Sequence, residues 1–337
     1  MIKTRINLLR NLFKEYDIDG YVIPSNDKYM SEYVPDYAKR IEYITGFTGS
    51  NGIAVIFKDS ALFFTDGRYL EQASKELDPA IFQIFDLKDI SKFSQDIKIG
   101  YDPELFTYPA ISRLTLLDTV AGPRYDNSQK INGNLVDKIW HDQPLEPNSK
   151  VYLHPIEFAG VSHVEKISKC RDVSSRGLLT RYSDQDDILI ILDSSSICWL
   201  LNLRASDVAY TPLMFAKVIV TPQKLYLFID PIRIGVEVIK ERPEITILPE
   251  EEFENILKDQ DNIFIDNSIA SVHIMDLIAD KKVHKIADPC LLLKACKNEV
   301  EIKHAIDFHV KDAVALCEFF GDLVQCHPRE NGDPEKR

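Results

Sequence analysis

The stretch GFTGSNGIAVIF, residues 46–57, places three glycines within seven positions, directly before an apolar run. Dinucleotide-binding loops need the spacing G-x-G-x-x-G at the start of a helix, and P-loops close with Gly-Lys-Ser/Thr. Gly46, Gly49 and Gly52 follow G-x-x-G-x-x-G instead, no lysine closes the loop, and the next residues are typical of a strand. We therefore interpret this stretch as a turn between strands, whose glycines permit positive φ and close backbone approach.

Short apolar runs on both sides of this turn predict further strands. They lie at 19–25, 52–57, 60–66, 80–85 and 97–103 in the first half, and at 187–193, 215–221, 224–230, 245–249 and 262–267 in the second. Helical patterns lie between them at 67–77, 108–120 and 161–182, the last opening with the capping box Ser162 and Glu165. A polar stretch with two prolines, HDQPLEPNSK at 141–150, separates two mixed α/β units.

The two units resemble each other. A shift of 156 residues aligns IEYITGFTGSN (41–51) with ICWLLNLRASD (197–207), and ALFFTDGR (61–68) then meets LYLFIDPIR (225–233) after a longer connection. This period is too long for a solenoid, so it indicates a duplicated domain. In the second copy NLRASD, which lacks glycine, takes the place of the glycine turn, and this again argues against a phosphate-binding loop.

Bulk composition excludes several classes of protein. A chain of 337 residues exceeds what one core usually supports, so two domains are expected. The net charge of −13 argues against a general nucleic-acid or anionic-membrane binder, and no apolar run is long enough for a membrane span. Six cysteines without a C-x-x-C pair suggest reduced thiols and a cytoplasmic protein.

Five longer stretches together resemble one known family. They are YVIPSNDKYMSEYVPDYAKRIEYITGFTGSNGIAVI (21–56), FFTDGRYLEQA (63–73), NGNLVDKIWHDQP (132–144), CWLLNLRASDVAYTP (198–212) and LLLKACKNEVEIKHAIDFHVKDAVALCEFF (291–320). In this order they are similar to the three-domain aminopeptidase P family of Xaa-Pro aminopeptidases, which are relatives of creatinase and prolidase. The resemblance covers about residues 15–323.

The resemblance implies an α/β fold with two tandem creatinase-N-type, ribonuclease-H-like domains of mixed sheet. We expect domain I at 1–143, a linker at 144–150, domain II at 151–290, the first helix of a truncated pita-bread catalytic domain at 291–324, and a disordered tail at 325–337. In the family, the catalytic domain binds two divalent metals, usually manganese, through two Asp, one His and two Glu. These metals activate a water that attacks the peptide bond before a proline in the second position.

The chain departs from that pattern after residue 324, where only QCHPRENGDPEKR follows. We therefore expect no metal ligand, no catalytic residue and no cofactor in this chain, which would be inactive alone. Acidic groups at Asp184, Asp186 and Asp187, or at Asp266, His273 and Asp276, are expected to be solvated charges on loops and helices. Ser194, Ser195 and Ser196 predict a polar turn after a strand, and His304 and His309 are not expected to bind metal.

Arg68 is the residue that the resemblance assigns to substrate binding. The family's T-D-G-R-Y arginine reaches toward the peptide, and a guanidinium at a strand-to-helix turn can donate directed hydrogen bonds to carbonyl or carboxylate oxygens. Gly67 is expected to let the backbone turn sharply. From the residues alone, an ion pair of Arg68 with Glu71 or Asp66 is the alternative. For Arg204, in the second copy, a structural ion pair is expected.

The segment 298–324 predicts a long helix, with Asn298 and Glu301 as its capping box. One face is largely apolar and comprises Ile302, Ile306, His309, Ala313, Cys317, Phe320 and Val324. Such a face needs burial, so the helix should fold back on domain II, form a homodimer, or meet a separate catalytic portion. A free-standing peptide-binding or assembly module is the alternative function, and a nucleotide-dependent enzyme is disfavoured by the glycine spacing.

Overall fold

The computed structural model describes residues 1–92, 98–115, 128–176 and 187–326. Its strands are β1 (Gly20–Pro24), β2 (Ile53–Phe57), β3 (Ala61–Thr65), β4 (Gln83–Asp86), β5 (Ile99–Tyr101), β6 (Ser128–Lys130), β7 (Tyr152–Leu153), β8 (Asp187–Ile191), β9 (Leu203–Arg204), β10 (Lys217–Val220), β11 (Leu225–Phe228), β12 (Ile245–Leu248), β13 (Asn262–Ile265) and β14 (Lys282–Lys285). Its helices are α1 (Ile2–Leu12), α2 (Arg40–Thr45), α3 (Leu70–Glu76), α4 (Tyr108–Thr115), α5 (Ile156–Ala159), α6 (His163–Arg176), α7 (Ser194–Leu201), α8 (Val236–Glu241), α9 (Glu252–Lys258), α10 (Val272–Leu277), α11 (Pro289–Ala295) and α12 (Glu299–Cys326).

Two mixed sheets of identical topology organise the described residues. The first has the order β4-β3-β2-β1-β5-β6, and the second has the order β12-β11-β10-β8-β13-β14. In the first sheet β1 pairs antiparallel with β2, and β2 with β3. In the second sheet β8 pairs antiparallel with β10, and β10 with β11. All other neighbouring strands in the two sheets are parallel. The predicted duplication of a mixed α/β unit is therefore confirmed, and β7 pairs with β9 in a small separate sheet.

Each sheet has an apolar core on both faces, because its central strands are apolar at nearly every position. On one face of the first sheet, side chains of α1, α2 and α3 such as Leu9, Ile44 and Ala73 pack on Ile23 and Phe63. The second sheet is covered in the same manner, with α6, α7 and α11 on one face and α9 and α10 on the other. These cores fix the strand ends from which the candidate site residues project.

The glycine turn was expected to connect two strands. This is wrong for the element before the turn, which is helix α2, and β2 follows the turn as expected. Gly46 is the C-cap of α2 with a φ of 85°, and its backbone N–H donates to the carbonyl of Glu42. Asn202, which the 156-residue shift aligns with Gly46, is the C-cap of α7 with a φ of 49°. Asparagine is the residue that most often replaces glycine in this left-handed conformation, which explains how the second copy does without glycine.

Close backbone approach is also confirmed at the turn. A Cβ atom on Gly49 would lie 2.3 Å from the ring of Phe47, and one on Gly52 would lie 2.5 Å from the ring of Phe63. At distances this short the rings leave no room for a side chain on either glycine. The glycines therefore shape a helix-to-strand connection around an aromatic core.

The two halves contact each other directly. The rings of Tyr29 and Phe215 stack with centroids 4.6 Å apart, and Glu250 accepts hydrogen bonds from Lys28 and Tyr29, each at 3.2 Å. At a second contact the amide of Val272 donates to the carbonyl of Phe106 at 2.7 Å. The two halves are therefore held together by aromatic and polar contacts as well as by the chain that links them.

Helix α12 extends away from the rest of the protein. The capping box is confirmed: the Asn298 side chain accepts from the amides of Val300 and Glu301, and the Glu301 carboxylate accepts from the amide of Asn298. Near its start, His304 contacts the carbonyl of Glu157 on α5, but the described side chains after it are exposed. Phe320, for example, is 59% exposed. The helix therefore does not fold back on the second sheet.

Some sequence-based expectations lie outside the described residues. These are residues 116–120 of the helix expected at 108–120, residues 177–182 of the one expected at 161–182, and most of the expected tail. Helix α6 begins as expected, with Ser162 accepting a hydrogen bond from the amide of Glu165 at 3.2 Å.

Candidate functional site

Arg68 lies in the turn between β3 and α3, at the surface. Asp66 holds it in place: its Oδ1 accepts from the amide and Nε of Arg68 at 3.0 and 2.9 Å, and its Oδ2 accepts from Nη2 at 2.9 Å. The ion pair with Asp66, one of the two alternatives from the sequence, is therefore present. It leaves the Arg68 side chain 72% exposed, and Nη1 has no hydrogen-bond partner within the described ranges.

The turn is formed by hydrogen bonds, and Gly67 does not supply it. Gly67 was expected to let the backbone turn sharply, but it has no positive φ, and a Cβ atom placed on it would have nothing within 4 Å, so this turn does not use the conformational freedom of glycine. Asn51, from the glycine turn, donates to Asp66 Oδ2 at 2.7 Å. These hydrogen bonds from Arg68 and Asn51 hold the pKa of Asp66 well below its usual range. Asp66 is thus an ionised anchor that orients the guanidinium.

Aromatic and polar side chains extend the site from Arg68 back to the glycine turn. The Arg68 guanidinium lies 5.2 Å from the ring centroid of Tyr69, a cation–π distance. The Tyr69 hydroxyl is 2.6 Å from that of Ser50. Ser50 also lines a cavity of about 170 Å³ that Tyr33, Val34 and other residues make largely apolar. This surface combines a cation, an aromatic ring and an apolar hollow, which suits a peptide with an apolar side chain.

In the second copy the corresponding arginine is buried. Arg233 follows β11 as Arg68 follows β3, but its side chain is only 6% exposed and forms an ion pair with the fully buried carboxylate of Asp207. Arg233 also donates to the carbonyls of Ser149 and Phe215, at 3.0 and 3.4 Å. All of these contacts are internal, so Arg233 is a structural residue.

Arg204 does not form the expected ion pair with any described residue. Its Nη1 donates to the carbonyls of Cys198 and Leu203. The guanidinium therefore ties the end of α7 to β9. Its role is structural, as expected, but backbone carbonyls take the place of an acidic partner.

The acidic groups named in the sequence analysis do not assemble into a metal site. Asp184 and Asp186 lie outside the described residues, and Asp187 is a fully buried residue of β8 that accepts from Asn262, which corrects its expected position on a solvated surface. Asp276 accepts from Tyr108 and Lys130. Asp266 accepts from backbone amides, and His273 pairs with Glu254 at 3.1 Å. In the part of the chain that the structure describes, no group of three or more His, Cys, Asp or Glu could hold a metal ion. These residues do not fit a dinuclear metal centre.

The serines expected in a polar turn begin helix α7 instead. Asp193 is its N-cap, and the hydroxyls of Ser195 and Ser196 donate to the Asp193 carboxylate at 2.6 and 2.9 Å. Lys294 of α11 also pairs with Asp193, at 3.1 Å. Because these groups satisfy one another, the cluster caps a helix and joins α7 to α11.

No helix in the described part of the chain is both long and apolar enough to cross a membrane.

Sequence reasoning missed one contact of this surface and one contact between the two halves. Asn51 belongs to the glycine turn and Asp66 to the T-D-G-R-Y stretch, but nothing in the order of residues shows that their side chains meet. Glu250, which joins the two halves, was not singled out either. Although burial would raise it, the pKa of Glu250 falls to about 2 because the ammonium groups of Lys217 and Lys28 stabilise its charged form.

Comparison with known proteins places both halves in one family. Residues 5–119 and 142–301 each match a model described as the creatinase/prolidase N-terminal domain. A probable Xaa-Pro aminopeptidase P of Laccaria bicolor is 31% identical over 342 residues, which are 95% of this chain and 51% of that protein. The Xaa-Pro aminopeptidase of Drosophila melanogaster is 31% identical over 331 residues, which are 91% of this chain and 51% of that one.

Solved structures agree with this similarity. An X-prolyl aminopeptidase from Caenorhabditis elegans, described as a cytosolic enzyme with a di-nuclear active site, superposes with a TM-score of 0.83 at 25% identity. The match covers 96% of this chain and 56% of that structure. The chain thus spans about half the length of the curated relatives it matches. Both halves of the chain therefore belong to the creatinase/prolidase N-terminal domain family, and nearly the whole chain is similar to Xaa-Pro aminopeptidases P.

Proposed function

We propose that this chain is the substrate-shaping, non-catalytic part of an Xaa-Pro aminopeptidase and is inactive alone. The proposed boundaries are domain I at 1–143, linker 144–150, domain II at 151–290, and the first helix of the catalytic domain within 291–324. The metal centre, which in the family's pattern holds two manganese ions, would be supplied by a separate catalytic portion. We also propose a cytosolic location, as described for the Caenorhabditis elegans relative.

Helix α12 is the observation that carries this proposal. It has 28 residues, and its exposed apolar side chains include Ile306, Phe308, Phe319, Phe320 and Val324. Burial of such a side chain typically gains about 1.5–3 kcal/mol, so a helix that exposes several of them favours association strongly. The catalytic portion is the proposed natural partner, and a homodimer is the expected substitute when that portion is missing.

The proposed association through α12 can be tested by substituting one of its exposed aromatic side chains. We expect the purified chain to dimerise or aggregate in a concentration-dependent manner, and Phe320→Asp to shift this association to at least tenfold higher concentration because it puts a charge on the apolar surface. Size-exclusion chromatography with light scattering measures both. Glu318→Gln, a change on the same helix, is the control. A monodisperse wild-type monomer, with the amide of Phe320 protected in hydrogen exchange, would contradict the proposal.

Arg68 is proposed to bind a peptide with proline in its second position. Its guanidinium is exposed, oriented by Asp66 and accompanied by Tyr69 and the apolar cavity. Titration of such a peptide into the wild-type chain and Arg68→Ala should show at least a tenfold loss of affinity in the variant, because charge-assisted hydrogen bonds to peptide oxygens are lost.

Lys88 offers a matched control for that titration. It is 75% exposed and pairs with Asp86 two residues before it, as Arg68 pairs with Asp66. Lys88→Ala therefore removes an equally exposed cation from the same domain and should leave peptide affinity unchanged. Equal losses in both variants would mean that net charge, and not the Arg68 site, determines binding.

A free-standing peptide-binding module is the second candidate, and the exposed Arg68 favours it. The two functions differ in what α12 does. A self-sufficient module would bind peptide as a stable monomer or a defined oligomer, with its affinity unaffected by Phe320→Asp. The aminopeptidase half would require a catalytic portion before its bound peptide is hydrolysed.

A further inference from the structure

The dipeptide Asn-Gly occurs three times in this chain, as Asn51-Gly52, Asn132-Gly133 and Asn331-Gly332. An asparagine in this context can lose its side-chain amide, because the glycine after it has no Cβ atom to hinder attack by its backbone nitrogen. The first two pairs lie among the described residues, and the third lies outside them. The surroundings of the two described pairs differ in the features that this reaction needs.

Asn51 is held in a position that opposes the reaction. Its Nδ2 donates to Oδ2 of Asp66 at 2.7 Å, and its backbone carbonyl accepts from the Thr65 hydroxyl at 2.6 Å. Gly52 is buried, and its carbonyl accepts from the amide and the hydroxyl of Ser25, both at 3.0 Å. The side chain therefore cannot reach the nitrogen of Gly52 without breaking its hydrogen bond to an ionised carboxylate.

Asn132 and Gly133 have neither restraint. Both residues are exposed, and neither forms a hydrogen bond with another residue in the described ranges. Gly133 has a φ of 78°, and a Cβ atom placed on it would have nothing within 4 Å, so the approach to this residue is open. The Asn132 side chain is thus free to turn toward the backbone nitrogen of Gly133.

This second turn lies at a cleft of about 390 Å³ between the two halves, which Gly133 helps to line. Tyr37 and Arg40 also line the cleft from the first half, and Glu250 and His273 line it from the second. Its lining includes seven carboxylates against three side chains of Lys and Arg. A new negative charge at the neighbouring asparagine would therefore enter surroundings that are already negative.

We propose that Asn132 is a site of spontaneous deamidation, whereas Asn51 is protected by the fold. The backbone nitrogen of Gly133 forms a bond to Cγ of Asn132, the Cγ–Nδ2 bond breaks, and ammonia leaves with the proton of the Gly133 amide. Water then opens the five-membered succinimide at either of its carbonyls and gives aspartate or isoaspartate. Both products carry an added negative charge, and isoaspartate also lengthens the main chain by a methylene group.

The longer main chain matters because this turn is anchored closely on both sides. Before it, the amide of Ile131 donates to the carbonyl of Tyr101 at 2.9 Å. After it, Nδ2 of Asn134 donates to Oδ2 of Asp102 at 2.9 Å. A main chain lengthened between these anchors cannot keep the same turn, so the modification changes both the charge and the shape of the cleft rim. The proposal depends neither on peptide binding nor on hydrolysis.

The test compares the two pairs within one sample. The purified full chain is incubated in mildly alkaline buffer, and mass spectrometry follows the peptides that contain Asn51 and Asn132. We expect the Asn132 peptide to be converted at least tenfold faster, because Asn51 has to break a hydrogen bond to a charged group first. In guanidinium chloride the two peptides should be converted at similar rates, since only the fold distinguishes them.

Three results of this comparison would overturn the proposal. The first is equal conversion of the two peptides in the folded chain. The second is no conversion of the Asn132 peptide under conditions in which the denatured chain reacts. The third is a difference that persists unchanged in guanidinium chloride, which would mean that the fold does not protect Asn51.

Two variants identify the attacking group. Gly133→Ala adds a Cβ atom beside the attacking nitrogen and should slow conversion of Asn132 at least tenfold, although alanine is strained at a φ of 78°. Asn132→Gln keeps the amide and the glycine, but its longer side chain would have to close a six-membered ring, so it should stay unconverted and unfold as the wild type does. An unchanged rate in Gly133→Ala, or equally fast conversion in Asn132→Gln, would show that the glycine nitrogen does not attack.

Discussion

The two sheets share one strand order, but the arginine after the third strand of each has opposite surroundings. Arg68 lies 72% exposed against Asp66 of its own turn, whereas the Arg233 side chain is 6% exposed against Asp207. The 156-residue shift aligns Asp207 with Asn51, a neutral amide that donates to Asp66. The buried arginine thus has a carboxylate on the neighbouring loop, and the exposed arginine has an amide at the aligned position. Two sheets of the same topology therefore place their arginines in different surroundings, one internal and one at the surface.

The largest expected effect comes from removing the buried arginine. Arg233→Ala leaves the carboxylate of Asp207 uncompensated in the interior, which should lower the free energy of unfolding by about 3–5 kcal/mol. Urea unfolding followed by circular dichroism measures this loss. Arg68→Ala is the control and should unfold at the wild-type urea concentration, because solvent screens its ion pair. Similar losses in both variants would remove the distinction between the two copies.

The contact between the copies should be sensitive to acid. Burial opposes the charge of Glu250, but Lys217 and Lys28 lower its pKa to about 2, below its ordinary value of 4.5. A lowered pKa in the folded state means stability that is present above pH 4.5 and is lost as the pH falls toward 2. Glu250→Gln should therefore lose about 1–2 kcal/mol less than the wild type between pH 7 and pH 3.

Urea midpoints at the two pH values measure this difference. Glu254→Gln is a suitable control, since its carboxylate is more exposed and, among the described residues, forms an ion pair only with His273. If Glu250→Gln loses as much stability in acid as the wild type, then the contact between the halves is not held by this carboxylate.

A smaller effect should distinguish the helix caps of the two copies. Gly46→Ala should cost about 1 kcal/mol, because alanine is strained at a φ of 85°. The new Cβ would lie 3.8 Å from Ile2, an ordinary contact, so the loss cannot be assigned to a clash. Gly46→Asn should cost less, as Asn202 adopts this conformation in the second copy. Equal costs for Ala and Asn, measured in urea, would show that backbone strain is not the cause.

Much of the fold was predictable because its signals are local. Runs such as Ile53–Phe57 and Leu225–Phe228 are apolar and rich in strand-forming residues, and Asn298 with Glu301 marks a helix start within four positions. Residues 40–45 and 194–201 were harder, because their helices are short and their apolar residues also fit a strand. The edge strands Ser128–Lys130 and Lys282–Lys285 are polar, so they carry no hydrophobic signal.

The candidate site was predictable only in part. The sequence indicated that Arg68 lies at a turn, and it offered Asp66, two residues before it, as one of two acidic partners beside Glu71. It could not show that Asn51 reaches Asp66, or that Tyr37 and Arg40 face residues some 200 positions away across a cleft. Such contacts depend on how two sheets pack, which no local pattern encodes.

We propose that this chain shapes substrate and does not itself hydrolyse it. The decisive test is an assay of the purified chain with manganese and a peptide whose second residue is proline, following release of the first residue. We expect no release above the rate in buffer. Turnover that co-elutes with the chain in size-exclusion chromatography and is abolished by a chelator would contradict it.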